Sequence, residues 1–482
     1  MRIRPEAALT FDDVLLVPRH SRIASRGDVS PHTLAARGLA LAIPVLSANM
    51  DTVTESEMAI AMARCGGLGI IHRFMPIDRQ AGEVARVKRA EGYVVEEPVT
   101  IEPHATIRQA RQLLSGAGIG GLVVVDRQAR VLGMVTKRDL LFAPDAEEPI
   151  SEVMTPRERL VTLQAPADLL VAREQLHAHR LEKLPLLDGQ GKLRGLITAQ
   201  DIMRLEQHPQ ATKDGKGRLR AGAAVGARSE DLERAEACLH AGADAFVVDI
   251  AHGHSENCLG MVRALKQRWP EVPVIAGNVA TPEGVRDLAQ AGADAVKVGV
   301  GSGSICITRV ITGFGVPQLT AILECAAEAH HLGVPLIADG GIRRSGDAVK
   351  ALAAGASTVM VGNMLAGTDE APGATIIRDG RKMKVVRGMA SLTASADRLV
   401  IDRGADLEPG DWERIVPEGV EAVVPHRGAV AEVLDQLIGG VRSGMSYAGA
   451  RTLDELWERA EFVRVTGAGM RESGVHDVEP IG

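Results

Sequence analysis

The 482-residue sequence predicts an α/β fold, a (β/α)8 TIM barrel into which a small duplicated module is inserted. Three observations predict it. Short Val/Ile-rich segments alternate with helical segments and end in glycine-rich loops, a helix-end signal recurs before three of them, and one stretch of the chain is repeated. No G-x-G-x-x-G motif follows the first strand, which favours the barrel over an open dinucleotide-binding sheet.

The composition indicates an aliphatic core and a small-molecule partner. Hydrophobic residues make up 45% of the chain, aromatic residues only 2%, and the formal net charge is -7 without a local Lys/Arg block, so we expect no nucleic-acid partner. We expect neither a signal peptide nor a membrane span, because the N-terminal stretch has no apolar core and no apolar run reaches the length of a span. The five cysteines are irregularly spaced without a C-x-x-C pair, which is typical of reduced thiols. We therefore expect a cytoplasmic protein that does not bind membranes.

The barrel is expected in residues 1–94 and 209–482. Three helix-end signals precede strands, at AGADA (241–245), AGADA (291–295) and AGAST (354–358). Active sites of such barrels lie at the carboxyl ends of the strands, so function is sought in the loops that follow them. The predicted buried strands with their loops are IPVLSANM (43–50), DAFVVDIAHGHS (244–255), VPVIAGNVAT (272–281), DAVKVGVGSGS (294–304), VPLIADGGI (334–342) and STVMVGNMLAG (357–367).

The inserted module is predicted at 95–208, with one copy in 95–150 and the other in 151–208. VLGMVTKRDLL (131–141) and LRGLITAQDIM (193–203) share glycine, threonine and aspartate positions at an offset of 62 residues. Each copy is expected to form strand, helix, strand, a hairpin turn with glycine, strand and helix. The repeated T-x-x-D pairs could bind ribose hydroxyls or simply cap a helix; they are Thr136 with Asp139 and Thr198 with Asp201.

The loop GVGSGSICITRVITGFGVPQ (299–318) contains the strongest candidate for chemistry. Its glycines allow the backbone to approach a ligand closely, and Cys306 lies in the middle of it. An isolated cysteine is more often a small core residue. In this glycine-rich strand-end loop, however, a thiol is a candidate nucleophile.

Over nearly its whole length the sequence resembles the IMP dehydrogenase/GMP reductase family, and the duplicated module resembles that family's pair of CBS domains. The resemblance implies a purine-nucleotide oxidoreductase in which Cys306 attacks C2 of a purine 5′-monophosphate, with NADPH or NAD as cofactor. The motifs that carry it are LTFDDVLLVP (9–18), SANMDTVTES (47–56), GGLGIIHR (66–73), GAAVGA (222–227), DIAHGHS (249–255), AGNVAT (276–281), GSGSICITR (301–309), ADGGIR (338–343), GNMLAGTDEAPG (362–373), RGMAS (387–391), VPEGVE (416–421) and ESGVHDV (472–478).

The site residues follow from the resemblance together with the strand-end positions. Catalytic roles are expected for Cys306, Thr308, Glu418 and Arg398, the last two in a mobile flap at about 387–420. Nucleotide contacts are expected from Ser304, Asp339, Gly341, Gly362, Asn363, Met389 and Ala390, with Asp339 on the ribose unless it is a solvated loop acid. Cofactor contacts are expected from Asp249, Asn278, Gly299 and Gly301.

A monovalent cation, K⁺, is also implied by the resemblance. The carbonyls of Gly301, Gly303 and Cys306 would bind it together with those of Glu472, Ser473 and Gly474 from a neighbouring subunit. A site shared in this way requires a homo-oligomer, either a tetramer or an octamer. ATP or GTP are the expected effectors at the CBS domains.

The direction of catalysis depends on the flap. Dehydrogenases of the family use an Arg–Tyr pair in a DRYFQ-like segment to activate water. Here ADRLVID (396–402) has Leu399 after Arg398, and the chain's two tyrosines, Tyr93 and Tyr447, lie outside the flap. The flap segments RGAD (403–406) and DWERI (411–415) resemble those of CBS-containing GMP reductases.

Other positions divide between the two activities. Asn49 and Ala390 resemble the reductases, whereas TFDDVLLVP, NMDTVTES and the PEG around Glu418 resemble bacterial dehydrogenases. The sequence therefore favours a GMP reductase, which converts GMP and NADPH to IMP and ammonia. An IMP dehydrogenase, which converts IMP, NAD and water to XMP, is the alternative. A catalytically inactive nucleotide sensor is a minor alternative.

Overall fold

A computed structural model describes residues 3–141, 143, 146–403 and 408–475, with the side chains of 204–206, 402, 403 and 409 left out. The chain divides into two compact units. The first comprises Met1–Ala90, Gln210–Asp214 and Leu219–Gly482, and the second comprises Glu91–Pro209 and Gly215–Arg218. In the described part of the chain, no helix is long and apolar enough to cross a membrane.

The elements are numbered in chain order. Those before the second unit are β1 (Val14–Leu16), β2 (Thr33–Ala36), β3 (Leu39–Leu41), β4 (Val45–Ser47), α1 (Ser56–Arg64), β5 (Leu68–Ile71) and α2 (Ile77–Ala90). The second unit contains β6 (Thr100–Ile101), α3 (Ile107–Gly116), β7 (Gly121–Val125), β8 (Val131–Thr136), α4 (Lys137–Leu141), β9 (Thr155–Pro156), β10 (Leu163–Gln164), α5 (Leu169–Ala178), β11 (Lys183–Leu187), β12 (Leu193–Thr198) and α6 (Ala199–Gln207).

The first unit then continues with alternating strands and helices up to a late antiparallel sheet. These elements are β13 (Ala221–Val225), α7 (Asp231–His240), β14 (Ala245–Asp249), α8 (Glu256–Arg268), β15 (Val274–Val279), α9 (Pro282–Gln290), β16 (Ala295–Val298), α10 (Thr308–Thr312), α11 (Gln318–His331), β17 (Leu336–Asp339), α12 (Ser345–Ala353), β18 (Thr358–Val361), α13 (Asn363–Ala366), β19 (Thr375–Arg378), β20 (Arg381–Arg387), α14 (Leu392–Arg403), α15 (Pro409–Arg414), β21 (Glu421–Pro425), α16 (Val430–Ala448), α17 (Leu453–Arg459), β22 (Phe462–Arg464) and α18 (Gly467–Glu472).

Eight of the described strands form a closed barrel in the order β13-β14-β15-β16-β17-β18-β4-β5, and neighbouring strands run parallel. The predicted (β/α)8 barrel is thereby confirmed. The predicted helix-end glycines Gly242, Gly292 and Gly355 follow α7, α9 and α12 with φ of 100°, 107° and 104°. That left-handed conformation is one glycine adopts without steric cost, so each glycine ends its helix and lets the next strand begin.

The N-terminal end of the barrel is covered by the β2–β3 hairpin. Ala36 and Leu39 of the hairpin pack in one cluster with the barrel-interior residues Leu46 and Ile275. The amide of Arg37 donates to the carbonyl of Asp294, directly before β16, at 3.0 Å. Burial of the Leu39 side chain stabilises the fold by about 1.5–3 kcal/mol, and burial of the smaller Ala36 contributes less. The hairpin therefore fills this end of the barrel, so a ligand site is expected at the carboxyl ends of the strands.

The second unit repeats strand, helix, strand, strand, helix in β6–α4 and again in β10–α6. The prediction of a glycine in both hairpin turns is wrong for the first copy. Gly191 has a φ of 75° in the second copy, and Ala129 takes the equivalent left-handed position with a φ of 63°. The amide of Leu193 donates to the carbonyl of Ala129 at 2.9 Å, so the two turns pair with each other and this contact supports the strained alanine.

Both T-x-x-D pairs are engaged within their own motif. The hydroxyl of Thr136 donates to Asp139 at 2.7 Å, and that of Thr198 donates to Asp201 at 2.6 Å. Thr198 also accepts a bond from the amide of Asp201 and is the N-cap of α6. These contacts support the helix-capping interpretation of the motif.

Candidate active site

A cavity of about 330 Å³ opens at the carboxyl ends of the barrel strands. Loops after β4, β5 and β14–β17 line it together with three short pieces of the flap. The structure brings most of the predicted residues to this one place. Those that line the cavity are Cys306, Thr308, Glu418, Arg398, Asp339, Met389, Ala390, Asp249, Asn278, Gly299, Gly301 and Gly303.

Four predicted nucleotide contacts lie beside the cavity without lining it: Ser304, Gly341, Gly362 and Asn363. Ser304 is exposed, next to Gly303 and Ile305, which do line it. Gly341 follows the lining residue Gly340. The side-chain oxygen of Asn363 is buried, and among the described residues it has no hydrogen-bond partner.

The predicted cation ligands fall in two separate regions of the chain. Gly301, Gly303 and Cys306 belong to the cavity loop, where the carbonyl of Gly303 already accepts the amide of Cys306 at 3.2 Å. Glu472 ends α18, and Ser473 and Gly474 follow it, bonded to that helix's own carbonyls. Residues 404–406 of RGAD and 476–478 of ESGVHDV lie outside the described residues.

The candidate nucleophile lies between a hydroxyl and the flap. The Sγ atom of the half-buried Cys306 is 3.2 Å from Oγ1 of Thr308. The amide of Ile307 donates to the carbonyl of Glu418 at 2.8 Å, and the amide of Val420 donates to the carbonyl of Ile305 at 3.0 Å. Cys306 and Gly419 therefore form an antiparallel bridge. This pairing holds the main chain of Glu418 next to the thiol.

A second set of main-chain hydrogen bonds joins the end of the flap, residues 418–420, to its beginning, residues 388–390. The amides of Glu418 and Gly419 both donate to the carbonyl of Ala390, at 2.9 and 3.1 Å. The amide of Gly388 donates to the carbonyl of Val420 at 3.0 Å. A Cβ atom on Gly388 would lie only 3.2 Å from the Cα of Gly419, so glycine permits this close approach. Three segments thus meet beside the cavity: the cysteine loop and the two ends of the flap.

Gly299 shapes the cysteine loop where it leaves β16. Its φ is 155°, and a Cβ atom there would lie 1.9 Å from the carbonyl oxygen of Asp339. The same oxygen accepts bonds from the hydroxyl of Ser302 at 3.0 Å and from the side-chain amide of Gln318 at 3.1 Å. The loop is therefore packed directly on the end of β17, which leaves the carboxylate of Asp339 facing the cavity.

A buried lysine, Lys297, lines the cavity and was missed by the sequence analysis. Its Nζ atom is 2.6 Å from Oδ1 of Asp249 and 2.6 Å from Oδ2 of Asp339. The side chain is only 2% exposed. A charged residue inside the apolar strand DAVKV was the available signal, because a lysine at a buried barrel position requires a partner anion.

The side-chain amides of two asparagines complete this charge network, one at each carboxylate. Asn49 donates to Oδ2 of Asp249 at 2.8 Å, and Asn278 donates to Oδ2 of Asp339 at 3.0 Å. Within the described part of the chain, Oδ1 of Asp339 accepts no bond. It is therefore the oxygen that remains for a ligand.

The charges of the network shift its pKa values. Burial alone would lower the pKa of Lys297, but the charges of Asp249 and Asp339 outweigh it and hold that pKa above its ordinary value. Burial alone would raise the pKa of Asp249, but Lys297 and the amide of Asn49 hold it below its ordinary value. Around neutral pH, therefore, Lys297 is a cation and Asp249 an anion.

Arg398 reaches the cavity from α14, and that helix is bonded to the barrel through Arg387. The guanidinium of Arg387 lies 2.5 Å from Asp51 in the loop after β4 and 2.7 Å from Asp397 on α14. It also donates to the hydroxyl of Thr393 at 3.0 Å. Asp397 precedes Arg398, so these bonds help to fix where Arg398 lies. Arg387 is a second residue that the sequence analysis missed.

Known proteins resemble the chain along almost its full length. The sequence model described as "IMP dehydrogenase / GMP reductase domain" matches residues 8–476. An inosine-5′-monophosphate dehydrogenase from Nitrosopumilus maritimus is 53% identical over 470 residues, which cover 98% of each chain.

Two solved structures of a GMP reductase from Trypanosoma brucei also match. One is a variant in complex with guanosine 5′-monophosphate, with a TM-score of 0.88, 46% identity and 98% of both chains covered. The other, in complex with guanosine 5′-triphosphate, has a TM-score of 0.77 and 41% identity, and the match covers 96% of this chain and 98% of that one. The chain belongs to the IMP dehydrogenase/GMP reductase family of NAD(P)-dependent oxidoreductases.

Proposed function

We propose that the protein is a GMP reductase that converts GMP and NADPH to IMP, ammonia and NADP⁺. One observation carries the choice of direction: Arg398 lines the cavity, but the described lining contains no tyrosine that could act with it on a water molecule. Of the chain's two tyrosines, Tyr447 is exposed on α16 and Tyr93 belongs to the second unit. A reductase requires no activated water.

The arrangement at Cys306 supports the first half of the reaction. Attack of the thiolate forms a C2–S bond, and the exocyclic amine leaves as ammonia after taking up one proton. Glu418 and Thr308 line the cavity beside the thiol, so a hydroxyl–carboxylate pair is available to supply that proton. In the second half, C2 receives a hydride and the C2–S bond breaks, which restores the thiolate.

The cofactor and the nucleotide would contact different members of the charge network. Bound NADPH would supply the hydride, and Asp249 and Asn278 would hold its nicotinamide end. Their fit to a carboxamide is supported by the buried side-chain oxygen of Asn278, which has no partner among the described residues. Asp339 would accept the ribose hydroxyls through Oδ1. Backbone amides near Ser304, Gly341, Gly362 and Asn363 would bind the phosphate.

IMP dehydrogenase is the second candidate, and the position of Arg398 favours it. A guanidinium in the cavity beside Glu418 could hold and activate a water molecule without a tyrosine. The relative from Nitrosopumilus maritimus carries the dehydrogenase name at 53% identity. A catalytically inactive nucleotide sensor is disfavoured because thiol, hydroxyl and carboxylate all line one cavity.

The deciding experiment follows absorbance at 340 nm with purified protein under two conditions, GMP with NADPH and IMP with NAD. A reductase consumes NADPH with GMP and is slow or silent with IMP. Formation of NADH from IMP at about 1 per second or more would reverse the assignment. If neither reaction occurs, the catalytically inactive nucleotide sensor becomes the remaining candidate.

The cation, the assembly and the effectors are part of the same proposal. Carbonyl oxygens suit K⁺, and we propose that Gly301, Gly303 and Cys306 share the ion with Glu472, Ser473 and Gly474 of the partner subunit in a tetramer or octamer. We also propose that the duplicated module is a pair of CBS domains that bind ATP or GTP. The cation and the effectors are tested by adding K⁺, ATP or GTP to the 340 nm assay. The assembly is tested by sedimentation of the full chain with each nucleotide.

A further inference from the structure

One buried residue that lines the cavity, Lys297, has no role in the proposed chemistry. Lys297 is 2% exposed and bonded at 2.6 Å to one carboxylate on each side, Asp249 and Asp339. The two carboxylates end β14 and β17, strands that are separated by β15 and β16 in the barrel. The lysine is on β16 and spans this gap.

We infer that Lys297 is a positioning residue whose single charge holds Asp249 and Asp339 in place for their two different ligands. Lys297 and Asn278 occupy Oδ2 of Asp339 and thereby present Oδ1 to the nucleotide. Lys297 and Asn49 occupy one oxygen each of Asp249. The inference deepens the proposed function, since it rests on Asp339 binding the ribose.

Removing the cation would leave two half-buried carboxylates, Asp249 and Asp339, without the positive charge that bridges them. Like charges in a low-dielectric site cannot both remain ionised without cost, so the pair would take up a proton or move apart. Among the described residues, Arg73, after β5, also acts on Asp249 as a cation. The thiol of Cys258 on α8 stays neutral, because burial raises its pKa to about 12. In the part of the chain that the structure describes, the remaining titratable groups that line the cavity are Cys306, Arg398 and Glu418.

The test measures GMP binding by calorimetry in a Cys306→Ala background, where covalent chemistry is blocked. In that background Lys297→Met is expected to weaken GMP binding by at least about tenfold at about pH 8, and by less at about pH 6, where one carboxylate can be protonated. The loss is taken relative to the Cys306→Ala parent at the same pH, so that titration of the GMP phosphate cancels, and Lys297 of the parent stays charged across this range.

A double variant that removes one positive and one negative charge is expected to restore GMP binding. Lys297→Met combined with Asp249→Asn removes the cation and one of its two anions, so the remaining carboxylate faces no like charge. This double variant is expected to fold and to bind GMP within about threefold of Asp249→Asn alone, a recovery that loss of packing would not produce.

Lys88 supplies the matched control. It is 4% exposed and bonded to Asp214 at 3.0 Å and Asp244 at 2.9 Å, at the opposite end of the barrel from the cavity. Lys88→Met therefore removes a similar buried cation without touching the nucleotide site, and its GMP affinity is expected to be unchanged.

Three results would overturn the inference: normal GMP affinity in Lys297→Met at every pH, no recovery of binding or folding in the double variant, or an equal loss in Lys88→Met. If the Cys306→Ala protein binds neither GMP nor IMP, the proposed nucleotide site is wrong and the inference falls with it. If the Cys306→Ala protein binds GMP and the added Lys297→Met substitution does not change its affinity, the inference is rejected and the proposed nucleotide site stands. The choice between reductase and dehydrogenase is tested separately by turnover.

Discussion

The main-chain amide of Ile307 donates a 2.8 Å hydrogen bond to the carbonyl of Glu418. This bond joins the residue after the candidate nucleophile to the candidate proton donor through backbone atoms alone. Substitution of either side chain therefore leaves the bond itself available. The flap and the cysteine loop are expected to keep their relative positions in variants that change only Cys306 or Glu418.

Cys306→Ala is expected to reduce turnover by at least about 10³-fold, because the C2–S bond can no longer form. Binding of GMP is expected to be largely unchanged, because Asp339 and the glycine loops remain. Steady-state assays at 340 nm and calorimetry with GMP check the two halves of this prediction.

The control is Cys65→Ala, since Cys65 is half-buried, outside the cavity, and its pKa is raised to about 11 by burial. That variant is expected to keep its activity. If Cys306→Ala retains most of its turnover, the covalent mechanism is wrong.

The barrel was predictable because its signals are local and repeated. Buried parallel strands are continuous apolar runs, and the glycines that end α7, α9 and α12 recur before the strands that follow. The strand-end rule then placed Cys306 and Asp339 at one end of the barrel without knowledge of any distance.

Other features depend on contacts between distant parts of the chain. That Lys297 bridges two carboxylates is set by the stagger of strands β14–β17, which a single sequence does not reveal. Arg387 forms an ion pair with Asp51, which is separated from it by more than half of the sequence, and no hydrophobic periodicity predicts such a pair. The left-handed Ala129 was missed because alanine carries no local signal for that conformation.

Asp339→Ala is expected to weaken GMP binding by about 2 to 3 kcal/mol, the cost of losing a charged acceptor for the ribose. Folding should persist, because Lys297 keeps Asp249 as its partner at 2.6 Å. Calorimetry at a single pH with a thermal melt separates affinity from stability. Asp287→Ala, which removes an exposed carboxylate paired with His254, serves as the control and should bind GMP normally. An unchanged affinity in Asp339→Ala would exclude it from the nucleotide site.

Gly299→Ala is expected to destabilise the protein by roughly 1–3 kcal/mol and to remove most of the activity. The added Cβ atom would lie 1.9 Å from the carbonyl oxygen of Asp339, so the cysteine loop must shift. Gly260→Ala in α8, where nothing lies within 4 Å of the added atom, is the matched control. It is expected to be neutral or to stabilise the helix by up to about 1 kcal/mol. Equal melting temperatures for the two variants would contradict the steric argument.

Glu418→Gln is expected to lower GMP reduction by about 10²- to 10⁴-fold, because the departing amine loses its proton source. GMP affinity should change little, so the effect should appear in kcat rather than in binding. Glu413→Gln changes an exposed glutamate of the same flap and is expected to leave kcat unchanged. A normal kcat in Glu418→Gln would show that the proton comes from another group.

Leu399→Tyr tests the direction of catalysis by supplying the phenol that the flap lacks. Leu399 is half-buried on α14 directly after Arg398, which lines the cavity. If the missing tyrosine is what prevents efficient water activation, the variant should oxidise IMP with NAD at least about tenfold faster than the parent, without a gain in GMP reduction. Leu392→Tyr adds the same group to an exposed position of the same helix and should change neither rate.

Arg398→Ala should abolish any oxidation gained by Leu399→Tyr. A parent protein that already oxidises IMP rapidly, and loses this activity in Arg398→Ala, would instead be a dehydrogenase in which Arg398 activates water without a tyrosine.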